Sequence, residues 1–168
     1  MERAQGRGPA VESGTTLVLG IGNTLLTDEG AGIHAIRRLE ARAQPMEGVR
    51  FVDGGTLSFT LAGPIAEASR LIVIDAAELQ RAPGSVEVFL EADMDRFLGQ
   101  HNKRSVHEVG LLDLMQIGQL TGSLPSRRAL IAIQPASVDW GEQPTPDVDS
   151  AIELACARAL ELIEDWRT

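Results

Sequence analysis

Apolar runs of strand length alternate with segments of helical period along this chain, and no other feature of the sequence restricts its fold as strongly. Three runs are continuously apolar, as expected of strands that are buried on both faces, namely Thr16–Ile21, Leu71–Ile74 and Ala129–Ile133. Such alternation is typical of a parallel sheet covered by helices. We therefore expect an α/β fold, a three-layer α/β/α sandwich with a twisted, mostly parallel five-stranded sheet.

The other strands and helices are predicted from shorter signals. Val49–Val52 is a further strand, and Ser85–Leu90 alternates polar with apolar residues, which indicates an edge strand that can be antiparallel. Thr145 followed by Pro146 indicates the start of a C-terminal helix. Pro64 favours a kinked or shortened second helix. The periodicity predicts three earlier helices, at about 28–43, 57–68 and 106–120, and a helix or a turn at about 93–98.

Length and charge restrict the domain count and the partners. The 168 residues fit one domain, predicted at 15–168 after a polar segment, 1–14, that we expect to be a disordered tail. The formal charge of −9 argues against the basic face that nucleic acids and anionic lipids attract. No apolar run approaches the roughly 20 residues of a membrane span, and 1–14 lacks the apolar core of a signal peptide. We expect neither a nucleic-acid nor a membrane partner.

Several enzyme signatures are absent from the sequence. The single cysteine, Cys156, lies on an apolar helical stripe, which argues against a disulfide, a zinc ribbon and a cysteine peptidase. Gly20 and Gly22 begin like a dinucleotide fingerprint, but Leu25 occupies the position of its third glycine, so nucleotide binding is a weak alternative. There is no His-Glu-x-x-His motif and no Gly-x-Ser-x-Gly elbow.

Three acidic residues stand where predicted strands end. Asp53 and Asp75 come directly after the second and third strands, and Glu29 lies in the first turn of the helix that follows the first strand. In open α/β sheets the ligand crevice lies outside the carboxyl ends of the strands. The predicted topology can therefore bring these three carboxylates to one edge of the sheet.

One histidine has a similar context. Ser105 and Glu108 fit a capping box, which places His107 in the first turn of a helix. The positive end of the helix dipole lowers the pKa of an imidazole there and favours the neutral form that binds metals. His34 and His101 lack such a context and are interpreted as surface residues.

Glu29, Asp75 and His107 would form an oxygen, oxygen and nitrogen ligand set. This set suits a borderline divalent ion such as zinc or nickel better than magnesium, and three protein ligands leave room for water or a substrate group. Each residue also has a plainer explanation. Glu29 could be a partner of the helix dipole, Asp75 a turn cap and His107 a surface histidine. Spacing alone does not decide between these interpretations.

Four short segments lie beside these residues. They read Gly-Ile-Gly-Asn-Thr-Leu-Leu-Thr-Asp-Glu-Gly at 20–30, Asp-Gly-Gly-Thr at 53–56, Leu-Ile-Val-Ile-Asp-Ala at 71–76 and Ser-Val-His-Glu-Val-Gly at 105–110. Together, in this order, they resemble the motifs of the nickel-iron hydrogenase maturation endopeptidases. The resemblance spans about 16–163, and Glu108 stands where the family often has glutamine.

The resemblance implies a cytoplasmic endopeptidase, of aspartyl or metallo type, that removes the C-terminal extension of a nickel-iron hydrogenase large-subunit precursor after nickel insertion. It also implies that Glu29, Asp75 and His107 contact a metal and take part in catalysis, with Asp53 in support. The metal would be nickel carried by the substrate, although zinc or cadmium could occupy the same site. We expect a monomer. A non-catalytic nickel-binding maturation chaperone is the alternative with the same residues.

Overall fold

The computed structural model of the chain describes residues 14–100 and 106–168, the side chains of 106–109 excepted. These residues form one five-stranded sheet with helices on both faces. The strands are β1 (Thr16–Gly20), β2 (Val49–Asp53), β3 (Arg70–Ala76), β4 (Val86–Leu90) and β5 (Arg127–Ile133). The helices are α1 (Ala31–Arg42), α2 (Ala62–Glu67), α3 (Glu91–Gln100), α4 (Val106–Thr121) and α5 (Pro146–Asp165).

The strand order is β2-β1-β3-β5-β4, and every pairing is parallel except that of β4 with β5. The predicted mostly parallel sheet with an antiparallel edge strand is therefore confirmed. The carboxyl ends of β1, β2, β3 and β5 all meet at one edge of the sheet, which we call the carboxyl edge. In a doubly wound sheet this edge carries the ligand crevice.

Two apolar layers cover the sheet, one on each face. Successive side chains of a strand point to opposite faces, so each strand contributes residues to both layers. In β3, Ile72 and Ile74 face the layer that contains α1 and α5, whereas Leu71 and Val73 face the layer that contains α2, α3 and α4. All four side chains are fully buried. The continuously apolar strands are central because both of their faces are covered.

Two predicted helices differ from the structure at their starts. The first begins as a 3-10 turn, Thr27–Gly30, before α1 starts at Ala31. The second is the short α2, which follows another 3-10 turn, Phe59–Leu61. The left-handed backbone of Leu57 (φ 65°) prevents an earlier start, and Pro64 lies in the first turn of α2, where its missing N–H is not needed.

Helix α1 crosses β1 at very short range because two glycines face each other. A Cβ atom on Gly20 would lie 2.2 Å from the carbonyl oxygen of Gly32, and one on Gly32 would lie 2.2 Å from that of Ile74. No larger residue fits either position without moving the backbone. The start of α1, and the turn that precedes it, is therefore held against the ends of β1 and β3.

Helices α1 and α5 pack side by side and share an ion-pair network. Arg38 pairs with Asp149 and Glu153, and Arg42 pairs with Glu153. The side chain of Arg38 is 23% exposed, because it lies between the two helices. None of the helices that the structure describes is both long and apolar enough to cross a membrane.

Candidate active site

Asp75 is the most deeply buried of the predicted site residues whose side chains the structure describes. It is the penultimate residue of β3, which extends to Ala76 rather than ending at Ile74, and it pairs in register with Ala132 of β5. Only 3% of its surface is exposed. A carboxyl group at this edge lies where the ligand crevice of a doubly wound sheet is found, so Asp75 is a functional candidate by its position.

Glu29 lies in the 3-10 turn between β1 and α1 and is half-buried. The amide of Asn23 donates to its carbonyl oxygen (3.1 Å), and a Cβ on Gly22 would lie 2.0 Å from that oxygen, so the turn folds tightly back on the end of β1. The amide of Ile21 donates to the carbonyl of Ile74 (3.1 Å). These contacts place the backbones of Glu29 and Asp75 at the same edge of the sheet.

Asp53 is the last residue of β2 and is exposed. One carboxylate oxygen accepts a hydrogen bond from the amide of Gly55 (2.9 Å), and the other lies 3.8 Å from the guanidinium of Arg37. The carbonyl of Gly55 in turn accepts from the amide of Gly22 (2.8 Å). Asp53 therefore shapes the glycine turn that lies against the chain leading to Glu29.

His107 is the second residue of α4, so the predicted position in the first turn of a helix is confirmed. The side chain of His107 and the whole of Ser105 lie outside the described residues. A Cβ on Gly110, one turn further on, would lie 3.5 Å from Leu57, so α4 begins beside the loop that follows Asp53. Among the side chains described, no three of His, Cys, Asp and Glu form a group that could hold one ion. The three-ligand set therefore depends on His107 and stays a prediction.

Asp28 has a structural role that the sequence analysis did not predict. Its side chain is fully buried and accepts hydrogen bonds from the amides of Ala136, Ser137 and Thr145 and from the hydroxyl of Thr145. It thereby fastens the loop between β5 and α5 to the turn that carries Glu29. The sequence placed Thr145 correctly as the residue before α5, but its hydroxyl binds Asp28 rather than capping the helix.

His34 is not the surface residue that the sequence indicated. Its Nε2 atom is buried beneath the turn at Gly30. Burial, followed by the charges of Arg37 and Arg38, lowers the pKa of its imidazole below the usual value. Both effects favour the neutral form of the ring.

Cys156 is buried on α5, and its thiol faces the carbonyl of Ala35 (3.5 Å). Burial raises the pKa of this thiol to about 11. Roughly one thiol in a thousand is then ionised at pH 8. We expect iodoacetamide to alkylate the folded protein very slowly and the guanidinium-unfolded protein rapidly, as followed by intact mass. Rapid alkylation of the folded protein would contradict this burial.

The chain was compared with known proteins. The family model for HycI, hydrogenase maturation protease, matches residues 33–166. Among individual relatives, the hydrogenase expression/formation protein HupD of Rhodobacter capsulatus is 38% identical over 160 residues, which are 94% of this chain and 75% of that protein. The hydrogenase 2 maturation protease of Escherichia coli (strain K12) is 33% identical over 89% of this chain and 90% of its own length.

Solved structures agree with these sequence matches. The hydrogenase maturating endopeptidase HybD from E. coli superposes with a TM-score of 0.85 at 33% identity, over 90% of this chain and 93% of that chain. The HybD protease from Thermococcus kodakarensis gives a TM-score of 0.74 at 27% identity, over 88% and 98% of the two chains. This chain therefore belongs to the HycI family of hydrogenase maturation proteases and is a peptidase.

Proposed function

We propose that this peptidase removes the C-terminal extension from the large-subunit precursor of a nickel-iron hydrogenase once nickel has been inserted. In this proposal Glu29, Asp75 and His107 contact the nickel that the precursor carries. A single cysteine is compatible with the reducing cytoplasm, where we place the reaction, and we expect the enzyme to act as a monomer. Family membership favours this hydrolytic role over the nickel chaperone.

The hydrogen bond from Ile21 to Ile74 carries this proposal, because it joins the ends of β1 and β3. It puts the turn with Glu29 next to the strand end with Asp75, and α4 begins at the same edge. Carboxylate oxygens and a neutral imidazole nitrogen are suitable ligands for nickel. Since the ion would arrive with the substrate, such ligands would admit only precursor that has already received its metal.

Cleavage requires a water molecule and a group that takes its proton. Glu29 and Asp53 are the two candidate bases, since Glu29 is only partly buried and Asp53 is exposed, whereas Asp75 is almost fully buried. One oxygen of Asp53 is already occupied by the amide of Gly55. Either carboxylate could take the proton, and Asp53 in addition shapes the neighbouring turn.

The test is to incubate the purified protein with nickel-loaded and nickel-free precursor and to measure intact mass. We expect the loaded precursor alone to lose the mass of its C-terminal extension. Equal cleavage of both forms would contradict recognition through nickel. An intact loaded precursor in a stable complex with this protein would support the chaperone instead.

Replacement of His107 by alanine tests the proposed ligand whose side chain lies outside the described residues. We expect processing of the nickel-loaded precursor to fall by at least about 100-fold, because a group acting at the reacting centre typically contributes two to four orders of magnitude. His101→Ala is the matched control and should process normally, because the sequence predicts a surface histidine there; His101 lies outside the described residues. Wild-type rates for His107→Ala would remove that residue from the site.

A further inference from the structure

Three large apolar side chains are exposed on two neighbouring loops of the carboxyl edge. Trp140 is 83% exposed, Val138 53% and Leu25 49%, and we call these three residues the Trp140 patch. Single exposed apolar residues are ordinary, but a group that includes a tryptophan is typical of protein-binding surfaces, where Trp is enriched among the residues that dominate affinity. The function derived so far uses none of the three.

The two loops are held together by their backbones. The amide of Thr27 donates to the carbonyl of Gly141 (2.7 Å), and the amide of Gly141 donates to the carbonyl of Leu25 (2.9 Å). The hydroxyl of Thr27 also donates to the carbonyl of Asp139 (2.5 Å). The backbone that presents Trp140 is thus ordered before any partner arrives, which lowers the entropy lost on binding.

The Trp140 patch adjoins the candidate active site. The amide of Asp28 donates to the carbonyl of Ser137 (3.1 Å), so the patch loop lies against the residue that precedes Glu29. The carboxylates of Asp139 and Glu142 are exposed beside it. A partner that reaches Glu29 would therefore meet an apolar surface with acidic neighbours.

We propose that the Trp140 patch docks the folded body of the hydrogenase precursor, next to the point where its C-terminal extension enters the site. This inference rests on the proposed function. The substrate is a whole protein, so its folded part must lie against the surface that borders the site. Complementarity requires an apolar area on the precursor flanked by basic side chains.

The first test is the processing rate of nickel-loaded precursor by Trp140→Ala. We expect kcat/KM to fall at least about tenfold, as for an interface hot spot. The loss should come from a higher KM at nearly constant kcat, because a docking contact is equally present in the ground and transition states. Trp140→Phe should restore much of the efficiency.

Leu120→Ala is the matched control, because Leu120 is 86% exposed but lies near the end of α4, towards the opposite edge of the sheet. It should process normally. Wild-type kcat/KM for Trp140→Ala would overturn the docking proposal. An inactive wild-type enzyme would instead count against the proposed function, and binding would then be measured separately.

Tryptophan emission supplies that separate measurement. The chain has two tryptophans, and Trp166 is only 7% exposed, so a change on binding would report Trp140. The titrant is a truncated precursor that lacks the C-terminal extension. After the emission of the precursor's own tryptophans is subtracted, binding should shift the emission of Trp140 to shorter wavelength. The shift should vanish in Trp140→Phe. Binding without any shift would overturn the proposal, whether or not cleavage is observed.

Discussion

Replacing Asp75 by asparagine is expected to lower the processing of nickel-loaded precursor by at least about 100-fold while the protein stays folded, because losing even an outer partner of a metal ligand costs about 10–100-fold. The substitution preserves the size of a side chain that is 3% exposed, but it replaces the carboxyl group at the carboxyl edge by an amide. A neutral amide is a weaker ligand for a divalent ion than a carboxylate. Initial rates by intact mass and Tm by thermal unfolding, measured on the same preparation, check this expectation.

Asp165→Asn is the matched control for this substitution. Asp165 is exposed at the end of α5. Nearby Arg167 donates to the carbonyl of Glu47, which precedes β2. Asp165 therefore lies at the opposite edge of the sheet. It should process at the wild-type rate. If folded Asp75→Asn also retained that rate, Asp75 would have no part in the reaction and the proposed ligand set would fail.

Replacing Asp28 by alanine should produce the largest loss of stability. The fully buried carboxylate accepts hydrogen bonds from the amides of Ala136, Ser137 and Thr145, which alanine would leave without this acceptor. Since an unsatisfied buried polar group costs about 1–3 kcal/mol, and solvent can reach part of this loop, we expect a total loss of about 3 kcal/mol. For a domain of this size that corresponds to a decrease in Tm of roughly 10 °C.

Denaturant unfolding of Asp28→Ala and of Asp139→Ala provides the measurement and its control. Asp139 belongs to the same loop, but its side chain is exposed, so its removal should change the free energy of unfolding by less than about 0.5 kcal/mol. Asp28→Asn should fall between the two, because its amide nitrogen would face donors. Equal stability of Asp28→Ala and wild type would show that the loop does not depend on this carboxylate.

The strand assignments succeeded where burial and sequence pattern agree. β1, β3 and β5 are continuously apolar because helices cover both faces, and the one-sided alternation of β4 belongs to the antiparallel edge. Helix starts were less accurate. The turn at Thr27–Gly30 and the left-handed Leu57 depend on contacts with loops far away in the chain, which local periodicity does not register.

From the sequence, four candidate residues were proposed because strand ends and helix starts are local features, and the family resemblance points to the same four: Glu29, Asp53, Asp75 and His107. Their roles in the reaction stay a prediction. Asp28 and Trp140 were missed. The partners of Asp28 are separated from it by more than 100 residues, and the proposed role of Trp140 rests on its exposure on a loop bonded to the turn that carries Glu29. Neither property has a local sequence signal.

By itself, therefore, the amino-acid sequence determined the class of fold, the order of most strands and helices, and the residue types available for chemistry. Only the tertiary structure decided which carboxylate is buried as a hydrogen-bond acceptor and which carboxylates reach the carboxyl edge. It also decided which apolar side chains stay exposed. The physical reason is that hydrophobic periodicity is a property of neighbouring residues, whereas burial and hydrogen-bond satisfaction depend on segments that meet only after folding.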